Sequence, residues 1–132
     1  MSLFISEAEI KTIKAFSSIW QESYDYWEWH KQYEFAEGES DGNDPSEYLT
    51  LSEEQQSILR DWIDYALEQD ENYISPDSSY GLKHIFERDE GGFYITNGQL
   101  KGAMIHYGFD PVNPREINCY YRVRLRKELL DK

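Results

Sequence analysis

The sequence predicts an α+β fold, with N-terminal helices packed on a C-terminal helix–strand–helix–strand unit in one domain over residues 1–132. Three observations predict it. Apolar residues recur at helical spacing from Ile10 to Ala66. From Pro76 onward, Gly, Pro, Asn and Asp cut the chain into short amphipathic pieces. The stretch from Ile117 to Arg126 then alternates strictly, with Ile117, Cys119, Tyr121, Val123 and Leu125 on one side and Asn118, Tyr120, Arg122, Arg124 and Arg126 on the other, the pattern of a half-buried strand.

Each element has a local justification. Ser6 and Glu9 form a capping-box pair that opens a helix. Its stripe runs Ile10, Ile13, Phe16, Trp20, Tyr24, Trp27 and predicts one continuous helix to about Phe35. The rings of Tyr24, Tyr26, Trp27, Trp29, Tyr33 and Phe35 are too many for one buried face. Either the helix is sandwiched between two others, or it shows an aromatic patch of the kind that interface cores favour. Residues 37–47 crowd Gly, Asn, Asp, Pro and Ser without periodicity and predict a loop that is mobile without a partner. Ser52 and Gln55 make a second capping box, and a helix follows to about Gln69 with Ile58, Leu59, Trp62, Ile63 and Ala66 on one face.

The second half begins with the turn and N-cap Pro76-Asp77-Ser78-Ser79, opening a helix with Leu82, Ile85 and Phe86 inward. Gly91-Gly92 ends it, and Phe93 to Ile95 reads as a short strand. Thr96 or Asn97 caps a last helix bearing Leu100, Ala103, Met104 and Tyr107, with Gly108 placed for a left-handed C-cap.

Composition excludes several classes. No apolar run approaches the ~18 residues of a membrane span, and residues 1–9 lack the basic and apolar regions of a secretory signal. The single cysteine, Cys119, allows no internal disulfide and fits a reducing cytoplasm. His30, His84 and His106 fall on three different predicted helices without metal-ligand spacing, and no phosphate-binding glycine loop is present. Cys119 lies on the apolar side of its strand, where a cysteine acts as a small hydrophobe. The expectation is a chain without catalytic residues, cofactor or metal.

Charge is more informative. The formal net charge is −13. Residues 1–71 carry 18 acids against Lys11, Lys14, Lys31 and Arg60, whereas residues 72–132 carry 8 acids against 9 bases. An acidic helical half and a nearly neutral mixed α/β half follow. Such an acidic half repels nucleic acid, attracts basic protein surfaces and favours solubility.

Two candidate sites emerge. The first is an acidic partner-binding surface. In the predicted helix, Asp61, Asp64, Glu68 and Glu71 follow 3-4-3 spacing and line up over about 15 Å, with Glu53 on the same side. Duplex DNA carries roughly nine charges over that length. Glu37, Glu39, Asp41, Asp44 and Glu47 of the loop would complete the count if they folded alongside. Tyr26, Trp27 and Trp29 would pack at the edge of that surface. The second candidate is the row Arg122, Arg124 and Arg126, whose guanidiniums suit phosphate contact. Those arginines could equally pair with the chain's own acids or with those of a second copy.

Ser79-Tyr80-Gly81-Leu82-Lys83-His84, then Glu87, Tyr94, Thr96-Asn97-Gly98, and Ala103-Met104 with Gly108, resemble small phage- and plasmid-borne proteins that carry an SYGLKH-type C-terminal unit. In size and acidity the chain is similar to anti-CRISPR and DNA-mimicking antirestriction inhibitors. The resemblance implies a cytoplasmic, non-enzymatic inhibitor whose partner is the basic surface of a host nucleic-acid-binding defence protein, a Cas effector first. The lack of a membrane-length apolar run leaves no membrane contact, and the alternative reading is a nucleic-acid-binding accessory protein of a phage or plasmid that uses the Arg122, Arg124 and Arg126 face. The resemblance carries over no functional residue.

Overall fold

A computed structural model describes residues 4–33 and 41–126, and for Tyr33 the backbone only. The expected Glu37 and Glu39 lie outside the described residues.

The N-terminal helix is two helices. Helix α1 (Glu7–Gln21) starts at the Ser6–Glu9 capping box, and α2 (Tyr24–Tyr33) follows after a break. Ser23 makes the break. Its hydroxyl donates to the Trp20 carbonyl at 2.6 Å and accepts from the Tyr26 amide at 3.1 Å, so one buried serine closes α1 and caps α2. Apolar periodicity runs across this break, which is why the pattern alone predicts continuity.

A 3-10 helix (Pro45–Thr50) occupies the end of the predicted loop. Helix α3 (Glu53–Ala66) opens at the Ser52–Gln55 box and stops three residues before the predicted end. Leu67 turns extended there, and strand β1 (Leu67–Gln69) pairs antiparallel with β2 (Val123–Leu125). The register sets Leu67 against Leu125, Glu68 against Arg124 and Gln69 against Val123. A distant partner overrides a helical pattern here.

Helix α4 (Ser79–Arg88) follows its Ser78 cap, and α5 (Asn97–Tyr107) runs from a Thr96–Gln99 capping box to Gly108, which adopts φ +112°. Residues 93–95 do not form the expected strand. At Ile95 the polar backbone is satisfied by α4 side chains instead: its N–H donates to Glu87 and its carbonyl accepts from Lys83. The alternating stretch likewise becomes a strand only over its last part. From Cys119 to Arg122 it runs beside residues 70–79 through isolated bonds, Ser79 to Cys119, Ser75 to Tyr121 and Asp70 to Arg122. Its alternation holds in burial: Cys119, Tyr121 and Val123 are buried, while Tyr120, Arg122 and Arg124 face solvent.

The fold is therefore mixed α and β, with a small two-stranded antiparallel sheet, and it is organised around α5. Asn97, Gly98 and every residue from Leu100 to His106 are buried. The 3-10 helix lies directly on α5, because Gly98 and Gly102 present no side chain to it. A Cβ on Gly102 would stand 2.2 Å from the Pro45 carbonyl oxygen and 2.4 Å from the Tyr48 Cβ, and one on Gly98 would stand 2.2 Å from the Asp44 carbonyl oxygen. One core joins both halves of the chain, with Ile13, Tyr48, Leu59, Ile63, Leu82, Phe86, Leu100, Met104, Cys119 and Tyr121 in a common cluster.

Candidate functional site

Of the expected loop acids, the described ones, Asp41, Asp44 and Glu47, are engaged by the protein's own groups. Asp41, with its side chain 2 % exposed, accepts from the Asn43 amide and lies 3.7 Å from His30 Nδ1. Asp44 caps the 3-10 helix through the Ser46 amide and holds Gln21 at 2.8 Å. Glu47 accepts from the Thr96 hydroxyl at 2.7 Å and from the Gly42 amide at 3.0 Å. The physical reason is that residues 41–50 cross α5 and need acceptors for buried donors. These carboxylates also face Lys101, which is 3 % exposed and donates to the carbonyls of Asn43, Ile117 and Glu116 at 2.9, 3.2 and 3.4 Å. Burial pushes the Lys101 amine below the usual lysine value, and Cys119, Asp41, Asp44 and Glu47 oppose that shift.

The α3 stripe is divided as well. The helix ends at Ala66, so Asp61 and Asp64 alone share it, while Glu68 lies in β1 and Glu71 just beyond. Asp61 borders a groove between α3 and α4; Asp64 borders the opposite concavity with Arg60, Glu68, Tyr107 and Arg126. Asp64 accepts from the Tyr107 hydroxyl at 2.5 Å. Glu53, at the start of α3, is exposed. Among the described residues, the four carboxylates of that stripe are divided between separate concavities and number fewer than the roughly nine charges of a duplex over that length.

The arginine row is turned on the protein's own acidic half. Arg124 Nε donates to Asp70 at 2.6 Å, and its guanidinium lies 3.8 Å from the Tyr73 ring centroid. That hydrogen bond holds the Asp70 carboxyl below the usual carboxylate value. Arg122 donates to the Glu71 carbonyl and Arg126 to that of Asp64. Each of the three guanidiniums is thus engaged by a group of the acidic half, while Arg122 and Arg124 stay exposed on one side of the segment.

Among the expected aromatics, Tyr26 is half-buried between Trp20 and His30, with ring centroids at 5.8 and 3.9 Å. Trp29 is half-buried. Trp27 is 56 % exposed under Lys31, whose Nζ stands 4.8 Å from the ring centroid, and Tyr24 beside it is 73 % exposed. Tyr24 and Trp27 thus stand at the surface, as the aromatic-patch reading expects, while the side chain of Tyr33 and Phe35 lie outside the described residues.

Buried polar contacts that periodicity cannot reveal tie α5 to the rest. Tyr48 Oη lies 2.6 Å from His106 Nδ1, and His106 Nε2 lies 3.1 Å from Glu9. Burial pushes the His106 imidazole below the usual histidine value, against the opposing pull of Glu9. Burial alone would raise Glu9, but hydrogen bonds from Ser6 and the nearby His106 and Arg60 outweigh it and hold the carboxyl low. Both depressed groups act in the same direction. The unfolded chain takes up the His106 proton first, so stability is complete above a pH of about 6.5 and declines as pH falls through it. The Glu9 share is lost lower down, as pH falls through its depressed folded value. Urea midpoints should therefore drop between roughly pH 7 and pH 5, and His106→Gln should flatten that part of the curve.

Cys119 is buried, and burial pushes its thiol up to about 11 despite the proximity of Lys101. At neutral pH it is a protonated small hydrophobe. Among the described residues, no three His, Cys, Asp or Glu side chains converge as a metal site would require, and no helix is long and apolar enough to cross a membrane. No protein-family model, no curated protein and no solved structure matches the chain.

Proposed function

We propose that this protein is a cytoplasmic, non-enzymatic inhibitor from a mobile genetic element that docks on a basic, nucleic-acid-binding surface of a host defence effector, a Cas effector first. The observation that carries the reading is charge left without internal neutralisation. Between described residues, the ion pairs made by lysine or arginine are Lys83–Glu87 and Arg124–Asp70. Against them stand a net charge of −13 and exposed carboxylates on Glu7, Glu22, Glu54, Asp61, Asp64, Glu68 and Glu71. A surface of this kind steers toward a cationic channel without imitating the phosphate spacing of a duplex. The resemblance of residues 79–108 to phage- and plasmid-borne proteins supports the origin. The exposed rings of Tyr24 and Trp27 on α2 offer apolar contact to a partner.

The test begins with capture from a host expressing CRISPR and restriction systems, followed by nuclease assays with the captured effector. Because exposed charges drive the encounter, inhibition should weaken by about tenfold or more between ~50 and ~300 mM salt. Salt-independent inhibition, or no bound effector, contradicts the reading.

A further inference from the structure

Helices α3 and α4 leave between them an open groove of about 340 Å³ that the core does not use. Its floor is apolar: Trp62 and Phe86 meet edge to face at 5.5 Å and are 7 % and 1 % exposed. On the α3 side, Ile58 and Tyr65 stand 38 % and 49 % exposed, one turn either side of Asp61. On the α4 side the chain turns through Asp89, Glu90 and Gly91. Asp89 is fixed there by accepting from Trp62 Nε1 at 3.1 Å and from the Glu90 amide at 2.9 Å. Asp61, Asp89 and Glu90 are the charged residues of the lining, and no basic side chain joins them. An apolar floor with a purely acidic rim is half of a complementary pair.

We infer that this groove is a docking site for a cationic segment of a partner protein, an arginine or lysine flanked by aliphatic residues. The aliphatic stem of such a side chain lies along Trp62, Ile58 and Tyr65, and its charged head reaches Asp61 and Glu90. The indole adds a favourable cation contact. A neutral apolar segment would desolvate Asp61 and Glu90 without offering them a partner, and an acidic one would be repelled. The inference rests on the proposed function only for the sign of the partner's charge.

The experiment is a titration of ¹⁵N-labelled protein with the peptide acetyl-Leu-Arg-Leu-Arg-amide, and with its Leu-Glu-Leu-Glu counterpart as control. Saturable shifts at the Trp62 indole N–H and the Glu90 and Gly91 amides are expected with the arginine peptide, and none with the control. Asp61→Asn with Glu90→Gln should weaken that binding by about tenfold, as two exposed charge pairs acting together, with the remaining spectrum unchanged. Ile58→Asn should weaken it also, since charge alone does not hold the stem. Shifts spread over all acidic segments, an unchanged affinity in the double variant, or no saturation would overturn the site. So would groove resonances that move on raising the protein concentration alone, which would assign the groove to a second copy. Failure here alongside salt-sensitive inhibition removes the groove and leaves the proposed function standing. Saturable binding here without inhibition of any effector does the reverse.

Discussion

Gly102→Ala is expected to destabilise the fold by about 3 kcal/mol, the upper end of overpacking costs, and to lower Tm by roughly 10 °C. The added methyl would meet the Pro45 carbonyl oxygen at 2.2 Å and the Tyr48 Cβ at 2.4 Å. Neither is the far end of a flexible side chain, so relief requires the 3-10 helix to lift from α5. That shift would also pull Tyr48 from His106 and the Asn43 carbonyl from Lys101. Gly81 supplies the contrast. A Cβ there finds its nearest neighbours in Asp77 at 3.4 Å, an ordinary contact, and the residue lies inside α4. Gly81→Ala should hold stability or raise it by up to ~1 kcal/mol through helix propensity. Urea midpoints of the two variants test the pair, and equal effects would contradict the close approach of the 3-10 helix to α5.

Lys101→Met comes next in size, with an expected loss of about 3 kcal/mol. Methionine keeps much of the stem volume but cannot donate. The carbonyls of Asn43, Ile117 and Glu116 would each lose this donor inside the protein. The Trp20 ring, 4.3 Å from Nζ, would lose its cation contact as well. Lys101 links α5 to the crossing segment and to the approach to the alternating stretch, so its removal loosens three parts of the chain together. A loss below about 1 kcal/mol would mean that the cost of burying the amine cancels its hydrogen bonds.

What was legible in the sequence is what local chemistry decides. Ser6, Ser52 and Gly108 act as caps where caps were expected, because the acceptor and its donors lie within one turn. The alternation from Cys119 to Val123 correctly separates inside from outside, since pleating sets the direction of side chains whatever the partner. It does not set how much of the segment becomes a strand, because that depends on Leu67–Gln69 giving up a helical pattern. The break at Ser23 had a signal in a serine three residues before Tyr26, masked by an apolar stripe that continues through it.

Pro45 to Glu47, the end of the expected loop, were the larger miss, since they open a 3-10 helix while residues 41–44 stay irregular. Asp, Gly, Asn and Pro in a row read as a solvated loop when scored alone. Their tertiary partner was written elsewhere, in Gly98 and Gly102 four residues apart on α5. The acids show the same limit. A count of carboxylates gives net charge, but the direction of Asp41, Asp44 and Glu47 depends on Thr96, Gln21 and Lys101, which are far away in sequence. Asp61, Glu68 and Glu71 remained at the surface because nothing buried required them.

Those last three carboxylates give the most direct test of whether surface charge is what this protein works with. Asp61→Lys, Glu68→Lys and Glu71→Lys together should leave the protein folded, with a loss of about 1 kcal/mol from setting a lysine at position 68 against Arg124, while lowering inhibition of the captured effector by a hundredfold or more, about 2.8 kcal/mol at ~1.4 per decade. A folded triple variant that inhibits as well as the parent would contradict the account.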